Sequence, residues 1–107
     1  METQHWLVNH RMNSALPGYL MIGSKQDADE LADLSPAALG ELGPLLALVQ
    51  RFLRERLSAG RVYLARFGHT PGFSVHFHAI PVYGWVERAF VRDIRYRALD
   101  EFREPAF

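Results

Sequence analysis

The side chains best suited to chemistry are the imidazoles of His76 and His78, two apart in Phe73-Ser74-Val75-His76-Phe77-His78-Ala79-Ile80-Pro81. Alternation over that stretch predicts a strand with Phe73, Val75, Phe77 and Ala79 on one face and Ser74, His76 and His78 on the other. Residues two apart on a strand stand roughly 6.5 to 7 Å apart along it, so both rings can address one ligand. That suits a phosphate, a metal ion, or a nucleophile with a helper. Structural histidines on a sheet surface share this spacing, so the surrounding residues must decide. Cysteine is absent, which excludes a disulfide scaffold, a Cys-ligated zinc or iron–sulfur site and a Cys nucleophile. The 5 histidines are therefore the first candidates.

Charge narrows the partners. The 12 Lys+Arg balance the 12 Asp+Glu, which argues against a nucleic-acid or anionic-membrane binder, because both need a basic excess to release counterions. No apolar run approaches the roughly 18 residues that span a bilayer. The start, Met1-Glu2-Thr3-Gln4-His5, lacks the basic-then-apolar pattern of a signal peptide. A cytoplasmic protein is the expectation. At 107 residues, 49% of them hydrophobic, the chain holds one core and reads as a single domain over 1–107.

The elements that must position these histidines are short. Trp6-Leu7-Val8 and Tyr19-Leu20-Met21-Ile22 read as strands, separated by a loop whose Pro17-Gly18 favours a tight turn. Residues 24–34 read as a solvated connecting helix or turn. Ser35-Pro36 is a strong helix start, with Ser as N-cap and Pro at the first position, where its missing donor costs nothing. Leu39, Leu42, Leu46, Val49, Leu53 and Leu57 then mark one helical face, ending near Ser58-Ala59-Gly60. Pro44 predicts a kink or a short first segment, eased by Gly40 four residues earlier. A third strand over 62–67, a Gly/Pro loop over 68–72 and a fourth strand over 73–82 read as an antiparallel hairpin. Residues 84–107 balance five arginines with acids and read as an extension packing on or beside the sheet. The fold class expected is α+β: an antiparallel sheet with one long helix across a face.

Val75-His76-Phe77-His78-Ala79-Ile80-Pro81 resembles the end of the histidine triad (HIT) signature, in which histidines alternate with apolar residues and the strand runs on into Ile-Pro. Upstream, Leu7-Val8-Asn9 and Leu16-Pro17-Gly18-Tyr19-Leu20-Met21-Ile22 look like the family's paired strands, with an Asn near the ribose and a Pro-Gly turn. Leu34-Ser35 and Arg61-Val62-Tyr63 fit the same layout, so the resemblance covers roughly residues 6–83. It implies a nucleotide hydrolase or transferase acting at an α-phosphate through a nucleotidyl-histidine, with adenine dinucleoside polyphosphates or nucleoside phosphoramidates as substrates, and a homodimer. Imidazole suits that role: neutral, it is a competent nucleophile, and once substituted its cationic ring leaves readily. No cofactor is implied, because oriented N–H groups can hold the phosphate; the loop over 68–72, with His69 and Gly72, has the freedom for such a cradle.

Two of the three histidines are present, and two registers are open. Anchored on Ile80-Pro81, Ser74 stands for the first histidine, His76 is the nucleophile and His78 the third. Anchored on His76 as the first, His78 would attack and Ile80 would replace the third. The first register is adopted because Ile-Pro follows the third histidine in many members and Ser can still hydrogen-bond phosphate. The usual Pro-Gly-His reads Pro17-Gly18-Tyr19, and the usual Gly-Gln before the motif reads Gly72-Phe73. The chain begins close to the family's second strand, so an N-terminal strand and helix are expected to be missing. The catalytic candidates are thus His76, His78 and Ser74, and the substrate-binding candidates Asn9, His69 and Gly72. His10 and Asn13 read as solvated loop residues, and Trp6 and Trp85 as core or interface aromatics. A nucleotide-binding module without turnover, or a metal site joining His76 and His78 to His69 or His10, are the alternatives.

Overall fold

The computed structural model describes residues 1–12, 14–66 and 74–84. Ser35 accepts the Ala38 N–H on its hydroxyl at 3.1 Å and opens α1 (Pro36–Arg56), a 21-residue helix. Its buried stripe is Ala38, Leu42, Leu45, Val49 and Leu53. Leu39 and Leu57, expected in the core, are exposed, and Leu46 is only partly buried. At 100° per residue Leu39 and Leu57 lie about 80° from the centre of that stripe. Counting leucines therefore turned the face by about half a residue position, because it passed over the small Ala38, which is fully buried in the core. The helix also runs unbroken through Pro44. Both Pro44 and Gly40 are on the exposed face, where the carbonyl that loses its partner can turn to water.

Four strands, β1 (Trp6–His10), β2 (Leu20–Ser24), β3 (Arg61–Ala65) and β4 (His76–Val82), form one antiparallel sheet in the order β1-β2-β4-β3. The β3/β4 hairpin pairing is as expected from the sequence. Tyr19 lies in the turn rather than in β2, and Arg66 lies beyond β3, where its guanidinium donates to the Asp29 carbonyl at 2.6 Å. Val75 is buried just before β4. Phe67 and Phe73 lie outside the described residues, as do Asn13, Trp85 and the segment 85–107.

Period-two alternation decides which face meets the helix. Trp6, Val8, Ile22, Val75 and Ala79 are buried in the core with α1, and Phe77 packs against it. Trp6 is fully buried and donates its indole Nε1–H to the Ala38 carbonyl at 2.8 Å, which fixes the first turns of α1 on the sheet. The connection over 24–34 contains a 3-10 turn (Leu31–Asp33). It is less solvated than expected, since Ala28 and Leu34 are buried and the Gln26 amide ties the Asp33 carbonyl to the Ser35 N–H. Among the described residues no helix is long and apolar enough to cross a membrane.

Candidate functional site

The face turned away from α1 carries two cross-strand rows. Leu7, Gly23 and His76 stand side by side on β1, β2 and β4, and Asn9, Met21 and His78 form the next row. Leu7, Gly23, His76, Asn9 and Met21 of these rows floor a cleft of about 550 Å³, and His78 lies buried beside His76 rather than in the cleft lining. Leu7, Met12 and Met21 give it an apolar wall. Asn9, Ser24, Ser74 and His76 supply polar groups, while His10, Arg11 and Lys25 supply basic ones. Gly23 keeps the cleft open between Leu7 and His76: a Cβ built there has nothing within 4 Å. An apolar wall next to convergent polar and basic groups is what a planar apolar group joined to an anion requires.

His76 is half-buried, and its Nδ1 lies 3.0 Å from the Ser74 carbonyl oxygen. A carbonyl can only accept, so Nδ1 carries the hydrogen and the neutral ring keeps its lone pair on Nε2. His78 is buried, with its ring centroid 5.5 Å from that of His76 and its Nδ1 2.7 Å from the Tyr19 hydroxyl. The strand period thus delivers the two imidazoles as neighbours, as expected. Ser74 and Asn9 reach the same cleft. His69 and Gly72 lie outside the described residues.

Three basic residues of the cleft lining, His10, Arg11 and Lys25, were not among the substrate-binding candidates. His10, expected to be solvated, is exposed but engaged: its Nδ1 donates to the Arg11 carbonyl at 2.9 Å and its Nε2 accepts the Gly18 N–H at 3.1 Å. That tautomer follows from the donor Gly18 and the acceptor Arg11, and it clasps the loop that carries Arg11 and Met12. Arg11 itself sits 4.9 Å from the Tyr19 ring centroid. Lys25 donates to the Thr3 carbonyl at 2.7 Å and pairs with Glu2, whose carboxyl is held below its usual value by the hydrogen bond and charge of Lys25. No local pattern marks these contacts, because each joins residues across a turn or between segments. As to a metal, no group of three or more His, Asp or Glu side chains among the described residues could hold one.

A four-stranded antiparallel sheet with one long helix on a face and alternating histidines on the other is the fold of the histidine triad proteins, and this chain has that fold. A Hit-like protein involved in cell-cycle regulation from Bartonella henselae is 16% identical, with a TM-score of 0.68 over 78% of this chain and 67% of that one. A HIT family protein from Bacillus anthracis is 17% identical, with a TM-score of 0.68 over 78% of this chain and 62% of that one. A zinc-bound histidine triad family protein from Mycobacterium smegmatis is 20% identical, with a TM-score of 0.69 over 95% and 83% respectively. The chain thus spans about two thirds or less of the length of the first two. No protein-family model matches the sequence, and no curated protein is similar enough to match.

Proposed function

We propose that the protein is a nucleotide hydrolase or nucleotidyl transferase in which His76 attacks an α-phosphate. The observation that carries this reading is the His76 Nδ1 contact with the Ser74 carbonyl at the wall of the cleft, which leaves Nε2 as the basic, nucleophilic nitrogen. Nε2 would form the N–P bond as the P–O or P–N bond to the leaving group breaks, and that group departs with a proton taken from solvent. Water or another acceptor then attacks phosphorus, loses a proton to solvent and breaks the N–P bond, returning the neutral ring. His78 and Ser74 would donate to the phosphate oxygens, and Asn9 would hold the ribose beside the apolar wall of Leu7 and Met21. His69 and Gly72 belong to this proposal as phosphate-cradle residues. Adenine dinucleoside polyphosphates and nucleoside phosphoramidates are the proposed substrates.

The cytoplasm and a homodimer complete the reading; Leu48 and Phe52, exposed one turn apart on α1, support the second. A sedimentation mass equal to one chain would remove it.

The test is turnover of a panel of dinucleoside polyphosphates and nucleoside phosphoramidates by wild type, His76→Ala and His78→Ala. Loss of turnover and of a trappable nucleotidyl adduct in His76→Ala, with partial loss in His78→Ala, is the expected result. Wild-type-like turnover by His76→Ala would sink the assignment. A second reading, a nucleotide-binding module without turnover, is favoured by Ser74 standing where the resemblance has a histidine; nucleotide binding with no turnover of any compound would select it.

A further inference from the structure

Tyr19 is fully buried at the entry to β2, and its hydroxyl lies 2.7 Å from Nδ1 of His78, with the two rings edge to face at 5.7 Å. The pairing of Met21 with His78 and of Leu20 with Ala79 brings the start of β2 to this ring. One proton lies between the two atoms, and either could carry it. A phenol ionises near pH ~10 and is a far better donor than a neutral imidazole N–H, while an imidazole nitrogen, whose conjugate acid ionises near ~6.5, is a far better acceptor than a phenolic oxygen. The Arg11 guanidinium 4.9 Å from the Tyr19 ring centroid adds to this, because a cation at the π-face draws electron density from the oxygen and strengthens the O–H as a donor.

We infer that Tyr19 donates to His78 Nδ1 and fixes His78 as its Nε2–H tautomer, so that the neighbouring rings of His76 and His78 are held in opposite tautomers. The Ser74 carbonyl selects Nδ1–H in one, and the Tyr19 hydroxyl selects Nε2–H in the other. Each ring then has one function without carrying charge: His76 presents a lone pair at Nε2, and His78 presents a donor at Nε2. For the phosphoryl transfer proposed above, on which only this last step rests, those are the forms that attack phosphorus and hold a phosphate oxygen. Tyr19 is a positioning residue in that scheme, acting through His78.

Ring-nitrogen NMR of the uniformly 15N-labelled chain, at a pH above the imidazole titration, tests the inference directly. Wild type is expected to show a protonated Nδ1 and an unprotonated Nε2 in His76, with the reverse in His78. In Tyr19→Phe the two His78 resonances should move towards each other as the second tautomer becomes populated, while those of His76 stay in place. A protonated Nδ1 on His78 in wild type overturns the inference, and that measurement needs no variant to fold. Unchanged His78 resonances in Tyr19→Phe overturn it equally. In turnover, Tyr19→Phe should lower kcat roughly three- to tenfold at unchanged KM, the size of one lost neutral hydrogen bond; a change in KM alone counts against the positioning role. Absence of turnover by wild type with the opposite-tautomer pattern intact would remove the proposed reaction and leave the tautomer assignment standing.

Discussion

Tyr83 donates its hydroxyl to the Pro17 carbonyl at 2.6 Å, tying the residue after β4 to the turn before β2. Burial pushes the Tyr83 phenol up, which keeps this donor protonated. Gly18 completes the turn with φ +80°, and the Tyr19 N–H closes it on the Leu16 carbonyl at 3.2 Å. Pro followed by a Gly with positive φ is the pattern of a type II turn. A Cβ on Gly18 would stand 2.7 Å from Leu57 Cδ1, 3.0 Å from the Tyr83 hydroxyl and 3.1 Å from Leu53 Cδ2. Gly18→Ala should therefore cost about 1 to 3 kcal/mol, from backbone strain plus displacement of Tyr83. Chemical denaturation measures it, and an unchanged midpoint would show that the turn relaxes at no cost.

Gly23 invites the opposite experiment. It lies within β2 with open space where a side chain would project, so a β-branched residue fits the strand. Gly23→Val should keep or raise stability, by up to about 1 kcal/mol, since Gly inside a strand is unfavourable. The same methyl groups would enter the cleft between Leu7 and His76. Nucleotide binding measured by calorimetry should fall at least tenfold while the melting temperature holds. Unimpaired binding would move the ligand away from this face.

Ser58 ends α1 in a left-handed conformation, with φ 58°, and the Ala59 N–H returns to the Leu53 carbonyl at 3.1 Å. This is the closure that glycine usually serves. Ser58→Gly should stabilise the protein by about 0.5 to 1 kcal/mol, the relief of side-chain strain less the added freedom of the unfolded chain. A thermal melt decides it; a lower melting temperature would mean that the serine side chain contributes more than the strain it causes.

Glu41 on α1 anchors the N-terminal segment. It accepts the Thr3 hydroxyl and the His5 N–H, each at 3.1 Å, and the His5 ring Nδ1 lies 3.1 Å away but is not aligned to donate. Desolvation pushes its carboxyl up, yet these hydrogen bonds and the charge of His5 outweigh it and hold the carboxyl below its usual value. A folded-state value below the unfolded one gives stability that is complete above the unfolded value and lost as pH falls through the folded one. Wild type should thus lose melting temperature more steeply than Glu41→Gln as the pH drops below about 4.5. Parallel acid limbs would show that Glu41 is not linked to folding.

The strands and the start of α1 were legible because alternation, the Ser35-Pro36 cap and the Pro17-Gly18 turn are local signals. So were the shared face of His76 and His78 and the burial of Trp6. The helix face was misjudged where Ala38, small and unremarkable in sequence, is fully buried and takes the Trp6 indole hydrogen bond on its carbonyl. The Tyr19, His10 and Lys25 contacts had no such signal, since their partners lie 59, 8 and 22 residues away and meet only once the strands have paired. The sequence carried the strand period; the register came from packing.

Pro81 sits in β4, an inner strand, yet nothing is lost there. Val82 turns its carbonyl towards the β3 side, where it accepts from the Gly60 N–H at 3.0 Å, so by alternation Pro81 turns its amide-less nitrogen towards β2. By then β2 has ended, its last partnered residue being Leu20 against Ala79. Sliding β2 by two residues would set Leu20 against Pro81, which has no hydrogen to offer its carbonyl, and sliding by one would turn every side chain to the wrong face. The missing hydrogen thus works as a stop at one end of the sheet: it disfavours the slip that would carry β2 past Ala79 and away from the alignment that sets Gly23 beside His76.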